Sequence, residues 1–146
     1  MQIIYFLLAI VAGFTSTLQF GINSQLKLLI GPIWTVCVSL TVSVIGTAFV
    51  LLIARQPLPD RAVFAAAPPW IWTGGICGIL FVLAGAVLAP KLGATTYTAA
   101  LIAGQIFFSV LLDHFGILGF PKHALNLERL LGIMLLTAGV LFVRRS

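Results

Sequence analysis

The sequence predicts an all-α integral membrane protein, a bundle of five transmembrane helices with no soluble domain. Three observations carry that expectation. Of the 146 residues, 61% are hydrophobic and only 8% charged, against roughly 25% charge in an ordinary soluble domain. Five mostly apolar stretches each approach the ~20 residues that a helix needs to cross the hydrocarbon core. Charge, proline and glycine punctuate the chain between them.

The stretches run over 3–29, 33–54, 70–89, 94–113 and 127–143, and together make one domain, 1–146. Continuous apolar runs such as Val110-Leu111-Leu112 and Met134-Leu135-Leu136 exclude the in-out alternation of a lipid-facing β-barrel. The first span is expected to be a mature helix rather than a secretory leader. No Lys or Arg precedes it, it exceeds the h-region of a signal peptide, and no A-x-A site closes it. Gly31-Pro32 leads into the second span as a tight turn that makes the two helices antiparallel neighbours. Before the third span, 55–69 places four prolines around the apolar run 62–67, which is expected to rest on the membrane surface as a short interfacial turn. Residues 90–93, Pro-Lys-Leu-Gly, read as a second tight turn, and 114–126 as a second long loop. Asn126 is the expected N-cap of the fifth helix, with Glu128 in the first turn facing the positive end of the helix dipole.

Trp34, Trp70, Trp72 and Tyr5 sit near span ends, as rings of an aromatic belt do. Cys37 and Cys77 fall inside spans and suggest neither a disulfide nor a redox site. The net charge of +5 comes from basic residues spread singly, unlike the clusters that bind nucleic acid. No nucleophile–base set, phosphate loop or metal spacing stands out. The sequence therefore implies no enzyme, no catalytic residue, no metal, no cofactor and no nucleic-acid partner; lipid surrounds it.

The placement of polar and small residues separates the chain from a generic apolar bundle. At 100° per residue, Ser16, Gln19, Asn23 and Lys27 share a narrow stripe of the first helix. In the fourth span, Tyr97, Thr98, Gln105 and Ser109 make a second polar stripe, while Thr96, Ala100 and Gly104 make a small-residue face. Gly74, Gly78 and Gly85 in the third span, and Gly132 and Gly139 in the fifth, suit close helix packing. Polar groups at membrane depth either bind helices together or line a pathway. Asp113 closes the fourth span and is the sole acidic candidate for proton coupling, Asp60 and Glu128 lying outside or at span ends; its alternative role is loop anchoring.

At these residues the chain resembles the YdcZ family of small inner-membrane exporters, in the drug/metabolite transporter superfamily. The resemblance rests on Gln19-x3-Asn23, Trp72-x-Gly74-Gly75-x2-Gly78, Lys91-Leu92-Gly93-Ala94, Gly104-Gln105 followed by residues 111–116 (Leu-Leu-Asp-His-Phe-Gly), and Arg129-Leu130-Leu131-Gly132. It implies a multi-pass protein of the bacterial inner membrane, a five-helix unit equal to half of a ten-helix transporter. It also implies a lone copy that dimerises, since relatives occur as paired or fused inverted halves. It supplies no substrate.

The chain thus reads as a small-molecule transporter, in the first place an exporter of a metabolite or toxic compound. A passive ion or solute channel, or a non-transporting subunit of a larger membrane complex, is the alternative. Five spans put Arg55, Arg61, Lys122 and Arg129 on one side and Lys27, Lys91, Arg144 and Arg145 on the other. Orientation normally follows an excess of Lys and Arg on the cytoplasmic side, and four against four gives none. Together with the resemblance, this balance predicts an antiparallel, dual-topology homodimer working by alternating access.

Overall fold

The computed structural model describes residues 2–145. Every regular element among them is helical, as lipid demands of a backbone that finds no water for its N–H and C=O groups. In order they are α1 (Gln2–Ile30), α2 (Pro32–Ala54), α3 (Arg61–Ala66), a 3-10 turn (Pro69–Thr73), α4 (Gly74–Leu92), α5 (Ala94–Phe115) and α6 (Leu127–Arg145). Four stretches are long and apolar enough to cross a membrane: Gln2–Ile30, Pro32–Ala54, Pro69–Leu92 and Ala94–Phe115. The fifth expected span is helical as α6, but Glu128 and Arg129 at one end and Arg144 and Arg145 at the other set it apart from these four.

Eight hydroxyls within the described α-helices bond to their own backbone. Thr15 and Ser16 donate to Ala12 O, Thr17 to Gly13 O, Ser24 to Phe20 O, Thr35 to Gly31 O, Ser43 to Ser39 O, Thr47 to Ser43 O and Thr137 to Ile133 O. Each hydroxyl proton is thereby satisfied without a second helix, which lets Ser and Thr occupy an apolar segment cheaply.

Single glycines break the long helices. Gly31 (φ 80, ψ 166) separates α1 from α2, and Gly93 (φ 83, ψ 144) separates α4 from α5, in a region of backbone space that side chains rarely enter. Pro32 begins α2, where its fixed φ suits the first helical position. The expected four-residue turn over 90–93 shrinks to Gly93 alone, because α4 continues through Pro90 to Leu92. A proline in mid-helix costs ~3 kcal/mol, but Pro90 is third from the end, where little helix remains to be bent.

The chain divides after Pro90 into two compact units. In the first, α1 and α2 pack as a hairpin, and Phe20 of α1 lies against α4, its ring 5.3 Å from that of Phe81 and in contact with Gly85. Phe20, Val36, Val82, Ala86 and Ala89 are buried, as are the polar Asn23 and Thr35. The expected interfacial run forms α3, whose N-cap Asp60 accepts a bond from Ala62 N at 3.1 Å. Phe64 of α3 stacks on Trp72 of the 3-10 turn, with centroids 5.4 Å apart and planes 13° from parallel.

In the second unit α5 packs on α6. Gly116 (φ 64) ends α5 by donating its N–H to Leu112 O, and Ile117 N reaches the same carbonyl. Asn126 caps α6 as expected, Oδ1 accepting from Arg129 N at 2.9 Å. Between these caps, His123 N donates to Asp113 O and Leu125 N to His114 Nδ1, so the loop is tied to the end of α5. Large apolar side chains point outward throughout, among them Phe49, Leu52, Leu135 and Phe142, an arrangement suited to acyl chains rather than water.

Candidate functional site

The α1–α2 hairpin sets polar residues opposite one another in register. Asn23 and Ser39 stand eight residues on either side of Gly31, and Gln19 and Ser43 stand twelve. An antiparallel pair turning at Gly31 must bring equal offsets level, and Asn23 Nδ2 donates to Ser39 Oγ at 3.4 Å. Gln19, Asn23, Ser39 and Ser43 line one groove of about 320 Å³, completed by Thr15 and the apolar Leu18, Ile22, Leu26, Val38 and Val42. At 1.5 Å per residue the two rungs lie ~12 and ~18 Å from the turn. With Gly31 at the membrane surface, they straddle the middle of a ~30 Å core.

Asn23 is the most enclosed of these groups, 4% exposed. An amide carries two N–H donors and a carbonyl acceptor, so one bond of 3.4 Å leaves most of its capacity unused. Gln19 is half-buried and makes no side-chain hydrogen bond among the described residues. Ser16, expected on the same stripe, is half-buried, spends its proton on Ala12 O and does not line the groove.

Ser39 and Ser43 escaped the sequence reading, although a signal was present. Thr35, Ser39, Ser43 and Thr47 recur every fourth residue of α2, and since four residues turn 400°, the row drifts 40° per step around the helix. Thr35 is accordingly buried, Ser39 faces the α1 groove, Ser43 borders two grooves, and Thr47 faces a second groove of about 670 Å³ with Trp72, Gly75, Ile76 and Ile79.

Burial varies along the stripe expected on the fourth span. Tyr97 is buried and Thr98 half-buried, whereas Gln105 and Ser109 are exposed. The side of α5 toward α6 carries Ala99 and Ile102, which border a groove of about 580 Å³ with Gly132, Leu135, Leu136, Gly139, Val140 and Val143. The Thr98 hydroxyl is enclosed without a hydrogen-bond partner among the described residues.

Of the residues expected to pack helices, Gly85 is buried under Phe20. A side chain on Gly74, Gly78, Gly104, Gly132 or Gly139 would meet nothing within 4 Å, and Ala100 is exposed. Asp113 Oδ2 pairs with Arg129 Nη1 at 3.2 Å, joining the end of α5 to the first turn of α6. Sequence reasoning placed both residues but not their pairing, because a 16-residue separation across a loop leaves no periodic trace.

Amides and hydroxyls thus line a groove between two helices of a chain whose long apolar helices can cross a membrane. Residues 4–142 match the family described as "Putative inner membrane exporter, YdcZ". The chain belongs to this family. It is thus a multi-pass protein of the inner membrane, and its family is one of exporters, not of enzymes. Neither the curated proteins nor the solved structures searched give a match.

Proposed function

We propose that this YdcZ-family chain exports a small molecule by alternating access, as an antiparallel homodimer of five-span protomers with the solute held against α1 and α2. The single observation behind this reading is the polar lining of Asn23, Ser39, Gln19 and Ser43 in one groove between two long apolar helices, and carriers bind their solutes near the midplane. Amides held only as helix glue would be consumed by helix partners; Gln19 has none among the described residues, and Asn23 has one long bond.

α6 supports a fifth span. Its 19 residues reach ~28 Å, nearly the thickness of the core, and its charges cluster at the two ends, where they reach headgroups. With five spans the Lys and Arg count is four on each side, which favours insertion both ways. Two such copies form the inverted pair seen in larger transporters. In this reading Asp113 first pins α5 to α6, and proton coupling through it requires Arg129 to let go.

The test is export from proteoliposomes loaded with a metabolite mixture, with the effluent identified by mass spectrometry. Purified protein should release a restricted set of solutes, and Gln19→Ala with Asn23→Ala should abolish release while helicity by circular dichroism is kept. Release that needs a second protein, or that survives both substitutions, refutes the reading.

A further inference from the structure

We infer that the α1–α2 groove takes an uncharged solute that donates hydrogen bonds from an apolar body. The inference rests on the groove being the solute site. Its warrant is the direction of each proton in the lining. The Thr15 hydroxyl donates to Ala12 O at 2.8 Å and the Ser43 hydroxyl to Ser39 O at 2.9 Å, so both present only lone pairs to the groove. Asn23 spends one N–H on Ser39, which already receives a proton there. The oxygens of Thr15, Ser43, Asn23 and Gln19 remain as acceptors with two lone pairs each, eight in all, against four protons left on the two amides and Ser39.

A solute carrying O–H or N–H groups therefore finds twice as many open positions as one that only accepts. Charge is selected against by the same walls. All ten lining residues are neutral, five of them Leu, Ile or Val, so an ion entering would lose its hydration without a counter-charge, a cost of several kcal/mol even after relaxation. A neutral solute loses only the water on groups that the hydroxyl and amide oxygens replace. The apolar side of the groove, Leu18, Ile22, Leu26, Val38 and Val42, then takes its hydrocarbon part.

The test uses four one-ring probes of similar size. Benzyl alcohol donates and accepts; anisole, its constitutional isomer, only accepts; benzyltrimethylammonium is a cation and benzoate an anion. Binding to purified detergent-solubilised protein is measured by saturation-transfer NMR, with Asn23→Ala and Ser43→Ala variants checked by circular dichroism. Benzyl alcohol should bind about tenfold tighter than anisole, the worth of one satisfied hydrogen bond, and tighter than either ion, and both variants should weaken it. Equal or tighter binding of anisole or of either ion, or no binding of benzyl alcohol, overturns the inference about solute class. If instead the donor preference appears but neither variant alters it, the groove is not the site, and the proposed location of transport fails with it.

Discussion

Exchanging Asp113 and Arg129 should leave the protein at least as stable as before, whereas neutralising either one should weaken it. Asp113 stands third from the C-terminal, negative end of α5, and Arg129 in the first, positive turn of α6. Each charge is therefore at the unfavourable end of its own helix dipole, at ~0.3–1 kcal/mol apiece. Their attraction across 3.2 Å is ~5 kcal/mol at an effective dielectric constant of ~20. Both side chains keep about a third of their exposure, 33% for Arg129 and 28% for Asp113, so screening and desolvation leave only about 1–2 kcal/mol net. Asp113→Asn removes that gain and leaves Arg129 facing the α6 dipole alone. Asp113→Arg combined with Arg129→Asp keeps the pair and turns both dipole interactions from unfavourable to favourable, for a gain of ~1–4 kcal/mol. The assay is loss of helical circular dichroism on titrating SDS into mild-detergent micelles. An exchange variant as weak as the single ones would refute the charge-pair account. A stable exchange variant that has lost response to a pH gradient would add proton transfer to Asp113's role.

Gly85→Val should overpack the buried Phe20 ring and cost ~1–3 kcal/mol in the same titration, while Gly78→Val, facing open space, should leave the protomer unchanged and disturb only a dimer that uses that face, seen by cross-linking. Gly31→Ala should cost ~1–3 kcal/mol, because φ 80 with ψ 166 is essentially glycine territory; an unchanged SDS midpoint would contradict that. Reporters active only in the cytoplasm or only in the periplasm, fused after Ser146, should both give signal, and one or two added basic residues should bias the ratio. Signal from a single reporter in the otherwise unmodified protein would sink dual topology.

Composition and run length alone determined that this chain is helical and lives in lipid, since an apolar segment of ~20 residues has few other ways to satisfy its backbone. Local punctuation was equally legible: the Asn126 cap and the breaks at Gly31 and Gly93 act through their own backbone and nearest turns, so local sequence specifies them. The Gln19–Asn23 stripe was visible too, because one helix's periodicity reveals one helix's face. What covers that face was not. Ser39 and Ser43 meet it only because α2 folds back at Gly31, and the drift of the hydroxyl row decides which of its members face α1. The same limit explains why Gln105 and Ser109 turned out exposed, and why Gly85 alone among the marked glycines is packed by a side chain, one 65 residues away. In lipid, apolar and small residues gain little from one particular neighbour over another, so pattern fixes the faces and only the tertiary structure chooses which of them meet.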